Sequence, residues 1–392
     1  MASIPVPVRR RLTWRWLVRG LTLLLAAGIA SWLFLPVSPR LTERLYSTGI
    51  YLQIARVLIP ITSAVPVSMT GALLIMLPVV LVVSMVRSWR HYRQTRLEQT
   101  GLEQTGRKRI TLLTWLLMWL ERLITSLVII AGLFLLTWGL NYNRLAVEDV
   151  LGLSDYQASQ DDLQALSEYL LGVIQETYPH AGSRTPGELD AALQAGRLSL
   201  QTVIWELSQQ HVTLPQRPKY MLPGFLIISG NAVGVISPWL LEAHVDSALP
   251  APYSLVVSLH EFVHLAGYAG EADADFLAAL AGLRADNPLM RYSSALRLFG
   301  QLAWRLPQAS YRELYEQLPA QALTDMDERR AISTRYRMPR WFERTQVRVY
   351  DSYLRSQGVE AGVADYGRMV NWLAQAHARD MLTDSLRLPE SF

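Results

Sequence analysis

His260-Glu261-Phe262-Val263-His264 holds the residues best placed in this chain to do chemistry. On a helix, side chains four apart share a face, so the two imidazoles can bind one metal ion. Glu261 then lies beside the metal's open position, where a carboxylate can take a proton from a bound water. So short a motif also arises by chance. More weight falls on Glu271-Ala272-Asp273-Ala274-Asp275, an ExxAD pattern one short turn downstream. Glu271 and Asp275 are four apart and share a face. Glu271 is therefore assigned to the metal, and Asp275 to a hydrogen bond with a ligand His nitrogen. Asp273 points roughly the opposite way and is expected in solvent.

Rival ligand sets are weaker. The metzincin layout HExxHxxGxxH matches at Gly267 but meets Gly270 where it needs a His. His244 is a second rival, although a lone His beside a strand is more often structural. Two imidazoles, one carboxylate and one open position form the hydrolytic zinc set. Non-haem iron uses the same ligand types at a different spacing. The expected chemistry is amide hydrolysis, with zinc held by His260, His264 and Glu271, and with Glu261 taking up the water's proton and returning it to the leaving amine. Tyr268 and Tyr292 are candidate donors to the oxyanion.

The elements that must position these groups are legible around them. Pro252 suits a first helical turn, and Ser254–Leu265 is apolar apart from Ser258 and the motif itself. That is the profile of a helix buried on nearly all sides. Gly267 is placed to stop it, and Gly270 frees the backbone just before Glu271, giving a helix–turn–helix corner. Upstream, Pro218–Asp246 reads as short strands and turns, with Phe225–Ile228, Val233–Ile236 and Ala243–Val245 as the strand runs. The Val233–Val245 segment, with Val233, Val235, Glu242 and His244, is a candidate substrate strand acting by β-augmentation, against a plain hairpin as the alternative. Asp161–Glu176 and Asp190–Gln209 carry helical stripes. After Asp275 the chain reads as helical, broken near Pro288, Pro307, Pro319 and Gly358.

Composition places the site. Hydrophobic residues make up 51% of 392, too many for an ordinary soluble protein, and mean hydropathy is +0.15. Three transmembrane helices are expected, at about residues 20–36, 69–86 and 120–140; Ile110–Leu120 is either an interfacial helix or the end of the third. Five Arg precede the first span and seven Lys or Arg come after the second, in the loop 87–109, against three basic residues in the Pro36–Ser68 loop. The positive-inside rule then puts the N-terminus and loop 87–109 in the cytoplasm and everything after Asn141 outside it. Residues 1–140 hold 16 basic and 4 acidic residues, the rest 21 and 29. The basic excess thus belongs to the part that faces anionic lipid and gives no sign of a nucleic-acid partner. Without Cys, disulfides and thiolate metal sites are excluded.

The chain resembles the bacterial polytopic membrane proteins of domain-of-unknown-function family 3810. The resemblance rests on Trp138-Gly139-Leu140-Asn141-Tyr142-Asn143-Arg144, Pro238–Asp246 with Glu242, the His260–Phe276 block, Arg291-Tyr292-Ser293, and the tail pair Asp351–Leu354 and Gly362–Gly367. It implies three N-terminal spans and an HExxH ectodomain. Where the family pattern has Gln-Arg after the second His and Asn closing the ExxA, this chain has Leu265-Ala266 and Asp275. The ExxAD pattern is also similar to that of CAAX-type membrane metalloproteases, which implies Glu271 as a zinc ligand.

The expectation is a membrane-anchored, predominantly α protein: a membrane domain over 1–140, then a zincin-like, gluzincin-type α+β ectodomain over 141–392 with a small sheet before the HExxH helix. Its partners would be the lipid bilayer and a substrate near it, either a polypeptide segment or a peptidoglycan stem. The competing class is a non-catalytic, membrane-anchored binding or sensor domain that uses the metal for structure. Three convincing ligands, where a structural zinc takes four, weigh against it.

Overall fold

Two stretches too apolar for water stand out in the computed structural model, which describes residues 20–29, 38–99, 112–153, 156–181, 184–230, 232–302, 305–356 and 368–386. Met69–Gln94 and Trp115–Thr137 are helical over 26 and 23 residues with mean hydropathy 2.5 and 1.9, long and apolar enough to cross a membrane. Gly20–Ile29 is a shorter apolar helix; residues 30–36 of the expected first span lie outside the described residues. Leu112–Thr137 is one continuous helix, so most of the Ile110–Leu120 segment belongs to it. The chain forms two compact units, the first comprising Met1–Pro36 and Met69–Leu136. Within it the Ser88 hydroxyl accepts from the Trp115 and Trp119 indoles, both at 3.0 Å.

The second unit comprises Val37–Ser68 with Thr137–Phe392. The loop between the first two apolar segments folds with the downstream chain. Its helix α1 (Tyr51–Ser63) buries Tyr51, Leu52, Ala55, Ile59 and Thr62, a one-face stripe that the surrounding apolar residues hide in the sequence. Two long helices come after it: α2 (Gln160–Thr177) and α3 (Pro186–Ser208). Each opens on a complete capping box, Ser159 with Asp162 and Thr185 with Glu188, which satisfies amide groups that the first turn leaves orphaned.

A three-stranded sheet of order β1-β3-β2 comes next: β1 (Lys219–Met221) runs parallel to β3 (Glu242–Asp246), and β2 (Gly234–Ser237) antiparallel to it. Two sequence expectations change here. Phe225–Ile228 forms a short helix, α4 (Phe225–Gly230), because the buried Asp246 carboxylate accepts from the Gly224 and Leu226 amides at 2.7 and 3.0 Å and fixes a helical start. An apolar run this short has no period of its own to resist that. The Val233–Val245 segment is two strands, and Glu242 and His244 lie on the central one with both edges paired.

The HExxH helix, α5 (Ala251–Leu265), is buried from Pro252 to Leu265. It ends where Gly267 takes φ +90°, a conformation closed to L side chains; a Cβ there would also come within 2.9 Å of the Tyr51 ring. After Gly270 the chain enters α6 (Glu271–Leu283), buried throughout, and then α7 (Pro288–Leu302). Helices α5, α6 and α7 pack on one another and on α3, and α7 also packs on α2. The expected helix–turn–helix corner is therefore the centre of this unit's core. The helix Gln308–Glu316 and then helices α8 (Ala320–Arg335), α9 (Arg340–Ser356) and α10 (Arg368–Ala378) follow in this unit among the described residues.

Candidate metal centre

Residues one turn apart on α5 bring His260 and His264 together, with Nε2 atoms 3.1 Å from each other. The first residue of α6, Glu271, sets its Oε2 at 3.2 Å from His260 Nε2 and 3.7 Å from His264 Nε2. All three are buried, and their ligand atoms lie within 4.8 Å of one another, so they could hold a metal ion. Metal–ligand bonds of about 2.1 Å in tetrahedral geometry put ligand atoms about 3.4 Å apart, close to the spacings found.

The outer ring nitrogens agree. His264 Nδ1 lies 2.7 Å from the Tyr268 backbone carbonyl, which can only accept, so Nδ1 carries the proton. His260 Nδ1 lies 2.8 Å from Asp275 Oδ1, the hydrogen bond expected from the sequence. With Nδ1 engaged on each ring, both Nε2 atoms turn toward each other and toward Glu271 Oε2, the arrangement of a ligand set.

Electrostatics point to the same need for positive charge. Burial alone would lower the His260 imidazole, but the Asp275 and Glu271 carboxylates outweigh it and push it up to about 10. Burial would raise Glu271, yet hydrogen bonds from His260 and His264 hold it well below the usual carboxylate range. Burial does raise Glu261, against the lowering pull of the two imidazoles. Among the described residues, Glu261 Oε2 is buried with no hydrogen-bond partner, although such atoms are nearly always satisfied. An unpartnered carboxylate oxygen beside three converging ligands is where a ligand-borne proton would be received.

These groups open into a cavity of about 480 Å³, walled on one side by β2 through Gly234, Val235 and Ile236. Val235 is 43% exposed, and β2 is an edge of the sheet. Of the expected substrate strand, Val233 and Val235 do line the cavity. Glu242 and His244 do not belong with them. Glu242 pairs with Lys219, and His244 Nε2 lies 2.8 Å from Ser68 Oγ, so His244 is structural and not a ligand.

Three other expectations need correcting. Tyr292 is fully buried and donates to Asp325 Oδ2 at 2.6 Å; Asp325 also takes a two-pronged ion pair from Arg184. Tyr268 carries the Arg144 guanidinium 3.7 Å above its ring and lines a different cavity. Neither hydroxyl is placed as an oxyanion donor. Asp273 is buried rather than solvated, because its carboxylate accepts from the Val147 amide at the start of the short helix Val147–Leu151, at 3.2 Å.

Several residues that matter here carry no local signal. The carbonyls at the end of α5 are capped from afar: Leu265 by the Tyr51 hydroxyl at 2.8 Å, His264 by the Trp138 indole at 3.2 Å, Gly267 by Arg144 at 2.9 Å. Helix ends buried in a core need such donors. Arg144 is itself braced by Glu43 at 2.6 Å. Trp138 and Arg144 sit within a segment that the sequence marked, but their function as caps depends on contacts more than 120 residues away. Arg297 reaches Asp275 Oδ1 at 3.2 Å and, with Arg329, lines the metal cavity.

No curated protein and no solved structure matches the chain. A family model described as "Protein of unknown function (DUF3810)" matches residues 46–374, a span that takes in α1 as well as the metal centre. Gly362–Gly367 of the sequence signatures lies outside the described residues, whereas the other signatures lie within them. With the larger part of its length matched, this chain belongs to the DUF3810 family.

Proposed function

We propose that the protein is a membrane-bound zinc metallopeptidase with a zincin-like ectodomain. The observation that carries this reading is the convergence of His260, His264 and Glu271 beside the unpartnered carboxylate of Glu261, in a cavity walled by an exposed sheet edge. Two imidazoles and one carboxylate favour zinc, which when bound would lower the pKa of a water toward about 7 and polarise a carbonyl. The chain's own residues do the rest. Asp275 and the Tyr268 carbonyl fix both rings through Nδ1, and Glu261 accepts a proton from the attacking water and delivers it to the leaving amine. The free edge of β2 accommodates an extended polypeptide by adding a strand. A structural metal site would give Glu261 no task.

The ectodomain would lie outside the cytoplasm. The excess of basic residues before the first apolar segment and after the second supports this, as does the joint folding of Val37–Ser68 with Thr137–Phe392. Crossings by Met69–Gln94 and Trp115–Thr137 would put those two segments on one side, and a first crossing would make that side the outer one. Trp138, which caps His264, comes directly after the helix Leu112–Thr137 in the chain, and this favours substrates close to the bilayer.

Glu261→Gln tests the peptidase reading. The variant should keep bound zinc and lose peptide hydrolysis, and chelation of the wild type should abolish activity until zinc is restored. A Glu261→Gln protein with full activity, or a wild type that binds no metal, would falsify it.

A further inference from the structure

Two arginines face the metal cavity, and among the described residues one of them has an anion to answer it. Arg297, from α7, shares Asp275 with His260. Arg329, from α8, lines the same cavity half-buried and donates to Ser333 one turn along its own helix; among the described residues it forms no ion pair. Glu343, which lines an adjoining cavity with Arg329, pairs with Arg337 at 3.7 Å. Burial and the neighbouring Arg297 charge both act to lower the Arg329 guanidinium. A half-buried guanidinium beside a like charge costs free energy unless an anion meets it, and a planar fork of donors is matched best by a carboxylate.

The rest of the cavity narrows where that carboxylate can sit. Glu261 and Glu271 stand at the metal ligands and repel an anion, while Val235, Ile236 and Val257 are apolar. We propose that Arg329, supported by Arg297, binds a carboxylate of the substrate, so that the site selects anionic peptides and sets their direction across the metal centre. This rests on the peptidase reading above. The carboxylate can be a free C-terminus or an acidic side chain, as in a peptide stem carrying a second carboxyl group. The apolar wall at β2 then takes the uncharged part of the chain.

The test uses the full-length, zinc-loaded protein in detergent with Glu261→Gln, so that binding is read without turnover. Three fluorescein-labelled alanine hexapeptides are compared by anisotropy: one with a free C-terminus, one amidated, and one amidated with a single internal glutamate. Either acidic peptide should bind about 10- to 100-fold more tightly than the neutral one, the scale of a charge-assisted hydrogen bond. Preference for the free C-terminus identifies an exopeptidase-type site, and preference for the internal glutamate an acidic-segment site. Arg329→Met should remove the preference and Arg329→Lys restore part of it, with zinc content unchanged in both. Equal binding of all three peptides, no binding of any, or a preference that survives Arg329→Met overturns the proposal. Hydrolysis by the wild type is scored separately. Acid-selective binding without cleavage leaves the carboxylate site standing and removes the peptidase, whereas cleavage without selectivity does the reverse.

Discussion

Gly234 offers a way to move the proposed general base, Glu261, without touching a charged residue. It lies on β2, opposite the face of α5 that presents Val257 and, one turn later, Glu261. A Cβ built at Gly234 would meet Val257 Cγ1 at 2.6 Å and Glu261 Cδ at 2.9 Å, with the nearer carboxylate oxygen closer still. Carbon atoms rest about 3.5–4.0 Å apart, so Gly234→Ala demands roughly 0.6–1.4 Å of movement. Neither β2 nor the buried helix can give that much, and the free end of the Glu261 side chain can. Its escape relieves the Glu261 contacts but not the Val257 one, so the cost in stability is about 1–3 kcal/mol for overpacking. Catalysis bears the rest. A misplacement of about 1 Å costs roughly 100-fold in rate, or about 2.7 kcal/mol of barrier. Zinc content should stay at the wild-type level, because the three ligands are not involved. The comparison is Gly230→Ala, whose new Cβ would find only Ala232 at 4.0 Å and should be neutral for rate. Turnover of a fluorogenic peptide and metal analysis of the purified proteins decide it. If Gly234→Ala turns over at the wild-type rate, or loses zinc together with activity, the placement of Glu261 against β2 is wrong.

Other perturbations separate the parts of the site. Asp275→Asn weakens the hydrogen bond that orients His260 and should reduce zinc affinity about 10- to 100-fold in a competition titration; Asp273→Asn, which touches Val147 instead, should leave affinity unchanged. Tyr292→Phe removes one donor from the buried Asp325 and should cost about 1–3 kcal/mol in denaturant unfolding with no loss in kcat; a large kcat loss at full stability would restore Tyr292 to the chemistry. Asp325→Ala strands the Arg184 charge and should cost about 3–5 kcal/mol. Gly282→Ala drives a methyl toward Ser294 Cβ, 2.9 Å away on α7, and should lower the melting temperature while sparing zinc binding in whatever fraction remains folded.

The candidate metal ligands were legible because their chemistry is local. Four-residue spacing on α5, a glycine that only a chain reversal needs, and an ExxAD at the start of the next helix fix His260, His264, Glu271 and Asp275 relative to one another within sixteen residues. The same locality made the long apolar stretches readable, since the bilayer requires an unbroken run of hydrophobic residues. What the sequence could not decide depends on partners far along the chain. Phe225–Ile228 has strand composition and becomes helical because Asp246, some twenty residues on, receives its first amides. Asp273 periodicity points away from the metal, and only the arrival of the Val147 amide turns that direction into an interior one. Tyr268 and Tyr292 lie near the motif in sequence, but Arg144 and Asp325 claim them in space. The Val37–Ser68 segment looks like a loop between apolar segments until Tyr51, Glu43 and Lys219 tie it to the end of the metal helix and to the sheet. A motif records which side chains share a helix face. Which buried carbonyl or carboxylate each remaining donor satisfies is settled by packing, because desolvation makes an unpaired buried polar group costly and most of them find a partner wherever the fold places one.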